Sequence, residues 1–144
     1  MIEPEQLEQA QKMLQMAGKD IKTLHALLDP AITDDEIFGF HAQQAVEKSL
    51  KSWIAGIGGS YDKTHDLRIL LLTLRELGCD VSPFKGLTDL NVYAIWFRYE
   101  PMEEPTSTIK RPHMLERVLN MILVMVCVAS TLSDLKGSRV MWLY

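Results

Sequence analysis

The chain has 144 residues, 47% apolar and 24% charged, which suits one domain with a buried core, expected to span residues 1–144. A net charge of −4 excludes the broad basic surface of a duplex nucleic-acid binder, though not a local anion or nucleotide site. Cys79 and Cys127 are far apart, match no metal spacing and read as reduced, buried thiols of a cytoplasmic protein. The start of the chain is polar and carries no secretory h-region, and the apolar run Met121–Ala129 is far too short to span a membrane.

The period is helical throughout. Leu7, Leu14, Ile21 and Leu28 recur every seven residues, with Ala10, Ala17 and Leu24 three places later, so one long helix is expected from about Glu5 to Leu28. Asp29-Pro30 ends it. Thr33-Asp34-Asp35-Glu36 has the form of a capping box, and a second helix follows. Phe38, Ala42, Ala45, Val46, Ser49, Trp53 and Ile57 share one broad face of that helix, and Gly56, Gly58 and Gly59 stop it.

Thr64 is placed to cap a third helix, which carries Leu67, Leu70, Leu71, Leu74 and Leu77 and closes at Gly78. Asp80 to Gly86 reads as a turn, and a fourth helix is expected from Leu87 to Tyr99. The last helix starts near Pro112, with a seam of Leu115, Val118, Ile122, Met125, Ala129 and Leu132. Its middle is apolar all round, so either it is central or its outer side meets another subunit. The expected fold is all-α: an antiparallel up-and-down bundle of four long helices plus a shorter fifth.

Three groups of residues have chemical potential. His41, Gln44, Lys48 and Lys51 fall within one quarter of the second helix's circumference. Lysines neutralise phosphate, and Gln and His donate hydrogen bonds, so this face suits an anion. The competing reading is a solvated face stabilised by the Glu47–Lys51 pair. His65 and Asp66 begin the third helix, where free backbone N–H groups favour an anion; simple capping by Asp66 is the alternative. On the fourth helix, Leu87, Asn91, Ala94 and Arg98 share a face. A guanidinium there needs either an anion or an internal partner such as Asp66 or Glu47. The four histidines form no metal-ligating pair, and no Gly-rich phosphate loop precedes a helix. No cofactor is expected.

Three pieces together resemble the HEPN family, the nucleotide-binding domains of higher eukaryotes and prokaryotes. They are Phe40-His41-Ala42-Gln43-Gln44-Ala45-Val46-Glu47-Lys48-Ser49-Leu50-Lys51, then Thr64-His65-Asp66-Leu67, then Leu90-Asn91-Val92-Tyr93 leading to Arg98-Tyr99. The resemblance implies a helical bundle that commonly forms a homodimer. It also implies a minimal nucleotidyltransferase as partner, in many cases within a toxin–antitoxin pair, or a nucleotide or RNA as ligand. The groove it points to lies near His41, Gln44, Lys48, Lys51, His65, Asp66, Asn91 and Arg98. The family's ribonuclease branch carries an Arg followed four to six residues later by His, and this chain has no such pair. The resemblance therefore implies a non-catalytic binding module. A metal-independent endoribonuclease and a structural adaptor are the alternatives.

Overall fold

The computed structural model describes residues 2–94 and 109–130, apart from the side chains of 127–130. Arg98, with the end of the expected fourth helix, lies outside the described residues, as does the side chain of Cys127. Among the described residues the chain is all-helical, as the periodicity predicts: α1 (Pro4–Ala26), α2 (Asp35–Gly56), α3 (Leu67–Glu76), a 3-10 segment (Ser82–Leu90) and α4 (Arg111–Ser130). No helix among these residues is long and apolar enough to cross a membrane.

The centre of the bundle is α2. Fifteen of its 22 residues are buried, and it packs against α1, α3, the 3-10 segment and α4. Its all-round burial explains why small residues recur along it: Gly39, Ala42, Ala45, Ser49 and Ser52 let neighbours approach closely. The ring of Tyr93 lies so near Gly39 that a Cβ there would come within 2.5 Å of it. The hydroxyls buried with these residues are satisfied, Ser49 donating to the Ala45 carbonyl and Ser52 to the Ala10 carbonyl at 2.7 Å. The α1 seam behaves as its spacing predicts, with Ala10, Leu14, Ala17, Ile21 and Leu24 buried against α2.

The last helix was expected either to be central or to present its outer side to a subunit, and the centre belongs to α2. On α4, Leu115, Val118, Met121, Ile122 and Met125 are buried, while Leu123 and Val124 stay 37% and 44% exposed.

Three local expectations are corrected. The N-cap of α2 is Asp34, and it makes no side-chain capping bond, so the Thr33 capping box does not form. The neighbouring Asp35 is instead drawn to Arg111. The cap of α3 is Asp66 rather than Thr64: its carboxylate accepts from the Arg68 backbone N–H at 2.9 Å, while the Thr64 hydroxyl oxygen accepts from the Asp66 N–H. The stretch expected as a turn and then an α-helix from Leu87 is a 3-10 segment to Leu90, with helical residues following over 91–94. Gly86 inside it disfavours α-helix there.

Arg111 ties the loop between α1 and α2 to the start of α4. It is 2% exposed and spends its donors on the carbonyls of Leu27, Asp29 and Thr33 and on the Asp35 carboxylate, at 2.7–3.2 Å. The Phe38 ring lies beneath its guanidinium at 5.2 Å.

Candidate functional site

The polar side of α2 meets α1 along one edge and the start of α3 along the other. Two buried carboxylates organise it. Asp20, on α1, lies where the heptad seam passes α2. Its Oδ1 is 3.0 Å from His41 Nδ1, and its Oδ2 accepts from Lys48 Nζ at 2.6 Å. A carboxylate only accepts, so His41 Nδ1 must carry the hydrogen of this bond.

The second carboxylate, Glu47, is 4% exposed and lies on α2 itself. Its Oε1 accepts from Lys51 Nζ at 2.9 Å and is 3.0 Å from His65 Nδ1. Its Oε2 takes hydrogen bonds from Gln43 at 3.1 Å and, more weakly, from Gln44 at 3.4 Å. Gln43 also donates to the His65 carbonyl, which seats the loop before α3 on α2. Lys51 in turn stands over the Tyr61 ring at 5.6 Å, and the Tyr61 hydroxyl accepts from Gln9.

Thus His41, Gln44, Lys48, Lys51 and His65 do share one surface, but each is already engaged. Lys48 and Lys51 have their own carboxylates, and His65, at 58% side-chain exposure, forms the open rim. The Glu47–Lys51 pair follows from its i,i+4 spacing. Asp20 and Gln43 carry as much of the network as the residues singled out in the sequence. The signal that could have found Asp20 is an acid in register with the buried stripe of α1.

Asp66 and Asn91 form a separate joint beside this face. Asn91 Nδ2 donates to Asp66 Oδ1 at 2.8 Å, and Asn91 Oδ1 accepts from the Leu67 N–H at 3.0 Å. Asn91 therefore supplies an acceptor to one of the orphan donors of α3 and locks the 3-10 segment to that helix. Arg68 donates to both Asp66 oxygens, and this bond, first among several, holds the Asp66 carboxyl below its ordinary value against the opposing effect of burial. Of the other histidines, His25 and His113 are both exposed. No group of His, Cys, Asp and Glu able to hold a metal ion occurs among the described residues.

Chemically, the face is a charge-compensated, hydrogen-bonded surface rather than a row of open cations. A phosphate arriving at Lys48 or Lys51 competes with a carboxylate already within 3.0 Å. Comparison with known families gives a match to the HEPN domain over residues 10–126, which takes in this whole face and the Asp66–Asn91 joint. No curated protein and no solved structure gives a match. Because the match extends over most of the sequence, from the middle of α1 into α4, the chain belongs to the HEPN domain family.

Proposed function

We propose that this HEPN protein is a non-catalytic, homodimeric binding module whose α2 face holds a protein partner of the minimal nucleotidyltransferase class. The observation that carries this reading is the pairing of every cation on the face. Lys48 is paired with the buried Asp20 and Lys51 with the buried Glu47, so the face presents compensated charge rather than open cations. Such a surface meets mixed protein charge by exchanging ion pairs, whereas a phosphate gains only by displacing a carboxylate. The dimer is supported by Leu123, left 37% exposed on α4 within an apolar stretch. The non-catalytic assignment rests on the missing Arg-to-His spacing, since the cleavage chemistry requires a positioned acid–base His.

A second reading, nucleotide or RNA binding at the same face, is favoured by His65, whose ring is 58% exposed at the rim beside Lys51. Three measurements separate the readings. Co-expression with a minimal nucleotidyltransferase from the same genome is expected to yield a complex that survives affinity purification and is lost in the Lys48→Glu, Lys51→Glu double variant. Calorimetric titration with ATP, GTP and short RNA is expected to give no heat above dilution; saturable heat that disappears with the same variant selects the nucleotide reading. Incubation of RNA in EDTA is expected to leave it intact. Cleavage that His65→Ala or His41→Ala abolishes would make the protein a metal-independent endoribonuclease instead. If the partner binds neither wild type nor variant, the face is merely structural, as in an adaptor.

A further inference from the structure

On the opposite flank of α2 the bundle carries an open pocket of about 610 Å³. Trp53, from the C-terminal turns of α2, forms one wall with Phe84 and Leu87 of the 3-10 segment. Val124 of α4 also lines it, as do Asn120 and Arg117, one and two turns earlier on that helix. The Trp53 and Phe84 rings meet edge to face at 6.1 Å, which fixes the shape of that wall.

Two features separate this pocket from ordinary surface. Arg117 makes no hydrogen bond or ion pair among the described residues, in a protein where Arg111, Lys48 and Lys51 are all satisfied internally. Its guanidinium lies on the open face of Gly86, where a Cβ would come within 2.5 Å of Nη2. The absent side chain is what lets a cation lie over an apolar pocket. Second, the indole N–H of Trp53, a residue lining the pocket, is buried and finds no hydrogen-bond partner among the described residues.

The acid on the pocket's margin does not neutralise Arg117. The Asp80 carboxylate accepts from both the N–H and the hydroxyl of Ser82, at 3.1 and 2.6 Å. The same bonds keep it charged by lowering its pKa. The pocket lining therefore combines a largely apolar surface with one carboxylate, already engaged by Ser82, and one guanidinium without a partner among the described residues.

We propose that this pocket binds a small amphipathic carboxylate, an aryl or medium-chain alkyl acid, with its apolar body between Trp53, Phe84, Leu87 and Val124 and its carboxylate on Arg117. Arg117 reads the charge through the planar fork that suits a carboxylate. The aromatic wall takes the body, and Asp80, which also lines the pocket, disfavours a carboxylate placed beside it. The site is independent of the α2 polar face. It is also compatible with a dimer, because Leu123 lies about 100° round α4 from Val124 and so faces a different flank.

Sodium octanoate and 1-octanol serve as charged and neutral probes of equal chain length, followed by NMR of the Leu87 and Val124 methyl groups. Octanoate is expected to give saturable shifts at both methyls. Arg117→Gln weakens octanoate by about tenfold, as for loss of one charge-assisted bond, and leaves octanol unchanged. Val124→Glu, at a position 44% exposed, excludes octanoate without unfolding the bundle. Equal affinity of wild type and Arg117→Gln for octanoate overturns the proposal, and so does the absence of saturable shifts. A conversion of dimer to monomer by Val124→Glu also overturns it, since a second copy would then cover the pocket.

Discussion

The two flanks of α2 use charge in opposite ways. On one, Asp20 and Glu47 are buried and answered by Lys48, Lys51, His41 and His65, all within 3.0 Å. On the other, Arg117 lines a largely apolar pocket with no answering carboxylate among the described residues. Both flanks belong to one central helix, so the difference is not one of burial alone. It lies in whether the neighbouring helix brings a complementary group: α1 brings Asp20, while the 3-10 segment brings Gly86. Paired charge fixes architecture and responds poorly to a new anion. Unpaired charge contributes little to folding and is available to a ligand.

That contrast predicts where substitutions hurt. The largest loss is expected at Arg111, the most completely paired cation among the described residues. Arg111→Ala removes a side chain only 2% exposed and leaves three backbone carbonyls and the Asp35 carboxylate without their shared donor. Breaking a buried pair from one side costs about 3–5 kcal/mol, so urea unfolding should show a loss of that size. A loss below about 1 kcal/mol would mean that water replaces the guanidinium and that pairing is not what holds the loop. Glu47→Ala comes next, at about 3 kcal/mol, because Lys51, Gln43 and His65 lose their common acceptor. Glu47→Gln should cost less than Glu47→Ala, since the amide oxygen still accepts.

Gly39 tests packing rather than charge at the same helix. In an exposed helix Gly→Ala gains about 1 kcal/mol. Here the new Cβ would meet the Tyr93 ring at 2.5–2.7 Å. Gly39→Ala is therefore expected to destabilise by about 1–3 kcal/mol, and Tyr93→Leu in the same chain should return part of that loss. A stabilised Gly39→Ala would show that the Tyr93 side moves freely.

These residues also mark what could be read from the chain. The α1 seam and the long α2 follow directly from spacing, because periodicity reports which side of a helix is buried. Periodicity does not report what lies opposite. Asp20 is 21 residues from His41 and 28 from Lys48, so the carboxylate that converts an open basic face into a paired one is invisible to a helical wheel of α2. Arg111 was missed for a related reason. It precedes Pro112 at the start of a helix, where an arginine is ordinarily solvated, and only the fold delivers the carbonyls of a loop some eighty residues earlier. Asn91 was singled out as a polar group, beside Arg98, on a stripe that otherwise looks buried. Its partners prove to be Asp66 and the Leu67 N–H.

Asp66 sharpens the comparison under acid. Its carboxyl is held below the ordinary 3.8, chiefly by the bond from Arg68. A depressed folded value means that its contribution is complete above about pH 4 and is lost as pH falls through the folded value. Asp66→Asn keeps a good N-cap and should flatten that part of the acid-unfolding curve, whereas Asp66→Ala should cost about 1 kcal/mol at neutral pH.

The smallest effect is expected at Arg117, and it is the most informative. Removing a cation that has no partner among the described residues releases no buried acceptor there, so Arg117→Gln should change unfolding free energy by less than about 0.5 kcal/mol. Arg111 and Arg117 are less than two turns apart on one helix and carry the same group. If both substitutions destabilise alike, the division between structural and available charge fails. If Arg111→Ala collapses the fold while Arg117→Gln leaves it intact, the flank of α2 that faces the 3-10 segment is left with a cation that folding does not require. A charge kept over an aromatic pocket without a structural duty is best explained by what the pocket takes in.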